Sequence, residues 1–109
     1  MDAAGEELGD RIRALLGGEP GIEEKRMFGT RAFLRDGAIL AGARKNGVLL
    51  VRVAADQVDV LRTEPGVEYA LMGKKVMTGG WLDVDAEVIA DDADLMRWLD
   101  EARENLAGR

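Results

Sequence analysis

Lys25-Arg26-Met27-Phe28-Gly29-Thr30-Arg31-Ala32-Phe33-Leu34 leads into Asp36-Gly37. A second apolar run follows, then Asn46-Gly47, then Val48-Leu49-Leu50-Val51-Arg52-Val53. Asp-Gly and Asn-Gly are strong hairpin signals, because both central residues of a type I′ turn need positive φ. Here they separate three β-prone runs, so residues 25–53 predict a three-stranded antiparallel meander. The first strand is expected to pass through Met27 and Phe28 to Leu34, with Gly29 inside it as a bulge, a bend or a close backbone approach. The other two strands are expected over 38–44 and 48–53. If both turns hold two residues, Leu34 faces Ile39, Phe33 faces Leu40, Arg44 faces Leu49 and Leu40 faces Val53. One face then carries Phe33, Leu40, Leu49, Val51 and Val53. The other carries Ala32, Leu34, Ile39, Ala41, Leu50 and Arg52, which is too apolar for an ordinary solvent face. Two readings of it stay open: cover by the C-terminal helix or a loop, or an association surface.

Helical periodicity flanks the meander. Leu8, Ile12, Leu15 and Leu16 fall at i, i+4, i+7 and i+8, predicting a helix over 3–16 that Gly17-Gly18 stops. Residues 19–24 read as a connector. A short helix over 56–62 turns Val58 and Leu61 inward and ends at Pro65-Gly66. Strands are expected over 67–74 and 80–84, joined by Lys74-Lys75-Val76-Met77-Thr78. Asp91 and Asp94 then resemble a capping box before Leu95, Trp98, Leu99, Ala102 and Leu106, at i, i+3, i+4, i+7 and i+11. The order is α-β-β-β-α-β-β-α. Strand runs joined by tight turns and flanked by helices predict an α+β two-layer sandwich with an antiparallel sheet, one domain spanning 1–109.

The chain has no Cys and no His, and no Ser occurs in it either. The thiol and serine nucleophiles, the imidazole base and the soft metal ligands are therefore missing. Carboxylates, lysines, Thr30, Thr63, Thr78 and Tyr69 remain, which makes an enzyme the least favoured class. No catalytic residue, metal site or cofactor is expected. Glu23-Glu24 and Asp91-Asp92 are better explained by solubility and capping than as an acid/base pair. Gly73-Lys74-Lys75 lacks phosphate-loop spacing and reads as a lysine-bearing hairpin turn. The N-terminus is acidic without signal-peptide character, and no apolar run approaches the ~20 residues that span a bilayer. The expectation is a cytoplasmic protein with no membrane contact.

The net charge of −6 is unevenly spread. Residues 1–24 carry two cations against seven carboxylates, 25–75 carry ten against five, and 76–109 carry three against nine. The basic middle either complements the acidic ends internally or presents a basic face to an anionic partner. In the second reading Lys25, Arg26, Phe28 and Gly29 form a recognition edge where a glycine lets a ligand approach the backbone. Arg31, Arg52, Lys74 and Lys75 extend that surface. Trp81, beside Gly79-Gly80, is either a core-edge residue or a stacking contact at a site rim. The overall acidic balance disfavours strong non-specific nucleic-acid binding.

Taken in order, five features resemble one known family. They are Lys25-Arg26-Met27-Phe28-Gly29, the Asp36-Gly37 turn, Leu49-Leu50-Val51-Arg52-Val53, Met77 with Gly80-Trp81, and the last helix with Asp94-Leu95 and Trp98-Leu99. Together they resemble the N-terminal domain of the TfoX/Sxy competence regulators, over nearly the whole chain. The family often has a second glycine after Met-Phe-Gly, where this chain has Thr30. It also has an extra glycine in Thr78-Gly79-Gly80. The resemblance implies the same helix and strand order and a non-enzymatic bacterial regulatory module that binds a protein partner, such as a transcription regulator. It further implies that the C-terminal helical domain of longer relatives is absent from a chain ending at Arg109. The alternatives kept open are a nucleic-acid-binding accessory protein that uses the basic sheet region, and a homodimer formed through the second sheet face.

Overall fold

The computed structural model describes residues 1–108. Helix α1 (Ala3–Leu16) forms where its apolar face predicts. Asp2 caps it, accepting the Gly5 N–H at 3.0 Å. The same carboxylate accepts the Asn46 N–H at 2.9 Å. One side chain thus satisfies an orphan helix donor and ties the helix start to a sheet turn.

The meander has four strands rather than three: β1 (Ile22–Met27), β2 (Thr30–Arg35), β3 (Ala38–Arg44) and β4 (Val48–Arg52). Phe28 and Gly29 have φ of 51° and 72°, and Met27 lies opposite Thr30. They are the two central residues of a tight hairpin turn, so of the bulge, bend or close approach expected at Gly29 the chain makes a bend, sharp enough to split the first strand in two. The expected connector 19–24 instead supplies the start of β1, an edge strand. Thr30 sits in β2, where no positive φ is required. Asp36-Gly37 turns the chain as predicted, with Leu34 opposite Ile39. A bulge next to Phe33 then places Phe33 opposite Ala41, and both Leu40 and Ala41 enter the core. The next turn takes three residues, Lys45–Gly47, which sets Arg44 opposite Val48 instead of Leu49.

Beyond β4 come α2 (Val58–Leu61), β5 (Val67–Tyr69), β6 (Leu71–Met72), β7 (Lys75–Val76) and β8 (Trp81–Val84). The strand expected over 67–74 breaks at Ala70. Its N–H donates to the Trp81 carbonyl, and its own carbonyl accepts the Met77 N–H at 2.8 Å. These two bonds close the neck of a two-stranded arm, β6–β7, that leaves the main sheet. Gly73-Lys74 forms its tip, as the hairpin reading of that string predicts. β8 returns between β4 and β5, giving the antiparallel order β1-β2-β3-β4-β8-β5. Gly80, at φ 92°, is required there, because a Cβ would collide with the Val53 carbonyl oxygen.

α3 (Asp92–Ala107) completes the α+β two-layer arrangement. Asp91 occupies its N-cap without a side-chain cap bond. Asp92 instead receives Arg11 from α1 at 2.9 Å. Both long helices contribute to one core with one sheet face: Ile12 and Leu16 from α1, Leu95, Trp98 and Leu99 from α3, against Phe33, Leu40, Leu49 and Val51. The five residues expected on one face, Phe33, Leu40, Leu49, Val51 and Val53, all enter this core, and Ala41, expected on the other face, joins them. On the other face a groove opens that no residue of either long helix lines.

Candidate binding groove

Strand alternation sends Ala32, Gly42 and Leu50, aligned across β2, β3 and β4, to the face away from the helices. Thr30 and Ile39 join Ala32 and Leu50 as the floor of a groove of about 430 Å³. Met27 and Phe28 form one wall, and Met72, Gly73 and Met77 of the arm form the other, with Trp81 at one end. The size and apolar lining are those of a ligand or partner site. Unbranched methionines let such a surface adapt to what it binds.

Besides the two backbone bonds at its neck, an ion pair ties the arm wall to the sheet. Arg44 Nη1 donates to both Asp83 oxygens, at 2.9 and 3.1 Å. Its Nη2 donates to the Leu71 carbonyl at 2.7 Å, and the Leu71 N–H reaches Asp83 at 3.4 Å. Burial pushes the Asp83 carboxyl up, opposed by the Arg44 guanidinium. Arg44→Met is expected to speed amide exchange at Leu71 and Met72 by about tenfold or more, on the scale of one lost charge-assisted hydrogen bond. Unchanged exchange there would mean that the arm is held by other contacts.

Phe28 is 85% exposed, at positive φ. It lines both the groove and a neighbouring depression of about 450 Å³ that also touches Gly29, Lys45 and Val48. Both facts count against stability: a bulky residue in the left-handed region costs roughly 1–2 kcal/mol, and its apolar surface stays in water. Asn tolerates that backbone region far better. Phe28→Asn should therefore raise the free energy of unfolding, by about 0.5–1 kcal/mol in a urea titration. A drop would show that Phe28 packs usefully in the isolated protein.

The sequence-derived candidates fall into two groups. Arg26 and Arg31 point to the helix face. Arg26 makes two bonds to Glu6, at 2.9 and 2.8 Å. The Arg31 side chain is 4% exposed and reaches Asp10 at 2.9 Å, Glu24 at 3.0 Å and Glu6 at 3.3 Å. Gly9 makes room for it, since a Cβ there would stand 2.5 Å from Arg31 Nη1. Of the remaining candidates, Phe28 and Trp81 line the groove. Lys25 lies opposite Ala32, Lys74 and Lys75 are on the arm, and Phe28-Gly29 form the turn. Arg52 stacks 5.5 Å from the Trp81 ring and donates to the Gly79 carbonyl at 2.9 Å. Sequence reasoning did not single out Met27, Ile39, Leu50, Met72, Met77 or Arg44 as site residues. The available signal was the apolar second face carrying Ala32, Leu34, Ile39 and Leu50, read either as covered by the C-terminal helix or a loop or as an association surface. Among the described residues, no three carboxylates converge as a metal site would need.

Comparison with known proteins agrees with this fold. The family described as the TfoX N-terminal domain matches residues 14–106. No curated protein matches the sequence. A solved crystal structure of a protein from Pseudomonas syringae is similar over 94% of this chain and 96% of its own, with a TM-score of 0.60 and 15% identity. At that identity the likeness concerns the fold alone.

Proposed function

The chain belongs to the TfoX N-terminal domain family, and from that premise we propose that it is a non-enzymatic cytoplasmic regulatory module that binds a protein partner. A component of transcription regulation is the class of partner that the family suggests. The observation that carries the reading is the apolar groove beside Phe28, a large side chain held exposed against local preference. Residues kept in unfavourable local states belong disproportionately to functional surfaces. The chemistry available in the groove supports binding rather than catalysis. Its polar lining is Thr30 and Arg44, and Arg44 is already engaged by Asp83.

The test is affinity capture from the native cell with the wild-type chain and Phe28→Asp side by side. A protein retained by the first and lost with the second is the expected result. Identical recoveries would refute the reading. The nucleic-acid alternative is weakened by the occupation of Arg26 and Arg31 by Glu6, Asp10 and Glu24. Duplex and single-stranded DNA titrated at low salt, where phosphate contacts are strongest, should give no saturable binding.

A further inference from the structure

We infer that the groove receives a short acidic amphipathic segment of the partner protein, seating two or three apolar side chains between Met27, Met77 and Trp81 while its carboxylates meet Lys25, Lys74 and Lys75. The inference rests on the protein-binding reading above and specifies the partner's chemistry. Two independent observations point to it.

The first is where exposed apolar surface collects. Phe28 is 85% exposed, Met72 and Val76 are 51% exposed, and Leu71 is 44% exposed. Phe28 and Met72 line the groove, whereas Leu71 and Val76, opposite each other, alternate to the arm's other face. Apolar surface on the rim as well as inside a depression suits a macromolecular segment laid across it more than a small molecule enclosed within it.

The second is charge. Among the described residues no ion pair uses Lys25, Lys74 or Lys75. Lys25 is on the groove face and the other two are on its arm wall. Most arginines, by contrast, are held by carboxylates of the chain itself, as Arg26 and Arg31 are. Unpaired lysines beside the groove on a chain of net charge −6 make it a local positive region on an acidic molecule. An acidic segment is drawn to this face and repelled elsewhere, which fixes both site and orientation. A second copy docking groove to groove would bring like charges together.

The test pans a displayed library of random 16-residue peptides against the intact chain. It then measures the enriched peptides by fluorescence anisotropy on the wild type, Phe28→Asp, Trp81→Ala and Lys74→Glu/Lys75→Glu. Phe28, Lys74 and Lys75 are exposed, so their variants keep the fold. Enriched peptides should be net negative with two or more apolar residues. Their affinity should be lost in Phe28→Asp and fall about tenfold in the double lysine reversal, the scale of a few exposed charge pairs. Neutral or basic peptides, or indifference to the lysine reversal, would overturn the inference and leave the protein-binding reading standing if Phe28→Asp still abolishes capture. No enriched peptide together with no Phe28-dependent capture would refute both. A dimer in sedimentation that dissociates in Phe28→Asp would overturn the inference in favour of a second copy.

Discussion

Trp98→Ala is expected to lower the free energy of unfolding by about 3–5 kcal/mol, as removal of a large buried aromatic does. Trp98 is fully buried on α3 within the common core. A domain of this size has about 5–15 kcal/mol in total, so the variant should be near its unfolding threshold at 37 °C. The Trp98→Phe variant separates two contributions. Trp98 Nε1 is buried and has no hydrogen-bond acceptor, and an unmet buried donor costs about 1–3 kcal/mol. Phenylalanine removes that donor while leaving a smaller void than alanine. Its loss should stay below about 1.5 kcal/mol, the usual range for a tolerated apolar swap. Guanidinium titrations of the three proteins measure this directly. If phenylalanine proved as damaging as alanine, an acceptor or a buried water must serve the indole.

Arg31→Met should cost about 2–3 kcal/mol, somewhat below the 3–5 kcal/mol of a fully buried pair, because its partners are partly solvated. The Arg31 side chain is 4% exposed, whereas Asp10 is 70% and Glu6 40% exposed. The variant keeps most of the side-chain volume but leaves Glu24 with Arg13 alone. A change in pH dependence should accompany the loss. The Arg26 hydrogen bond, above all, holds the Glu6 carboxyl below its ordinary value near 4.5, against some desolvation, and the charge of Arg31 adds to the lowering. For Glu24, burial pushes the carboxyl up, but hydrogen bonds from Arg13 and Arg31 outweigh it and the net direction is down. A depressed carboxylate stabilises the fold fully above its unfolded pKa, and that contribution is lost as pH falls through the lowered folded value. Wild-type stability should therefore decline below about pH 4.5, and the decline should be shallower in Arg31→Met. Denaturant midpoints between about pH 7 and about pH 3 test this. Parallel curves would mean that Arg31 contributes through packing alone.

The parts of this fold that the sequence makes legible are those fixed by nearest-neighbour chemistry. Asp36-Gly37 turns where a two-residue hairpin should. Leu8, Ile12 and Leu16, and Leu95, Trp98 and Leu99, are buried at helical spacing. The hairpin at Phe28-Gly29 was not legible, because Phe is a poor residue for the first position of such a turn. With the turn unread, the start of β1 was unread as well, and Glu23-Glu24 inside it fell in the expected connector. Regional charge counts revealed the basic middle of the chain, yet they could not separate Arg31, turned into α1 by strand alternation, from Lys25, turned the other way. The groove needed information that local patterns do not hold. Its second wall comes from an arm whose departure at Ala70 depends on β8 arriving from farther along the chain.

That insertion of β8 also bears on how the molecule is assembled. β1 to β4 are joined by turns of two or three residues, so their pairings have low contact order and form at little loop-closure cost. Arg52 meets Trp81 only after everything between them has been looped out, which is entropically the more expensive and slower step. Met72, Met77 and Trp81 all lie in or beyond that excursion. A collapsed intermediate containing the meander alone would present a binding floor without its second wall. Only the finished fold can bind through the complete groove, so an occupant would slow unfolding and raise the melting temperature of the whole domain through linkage.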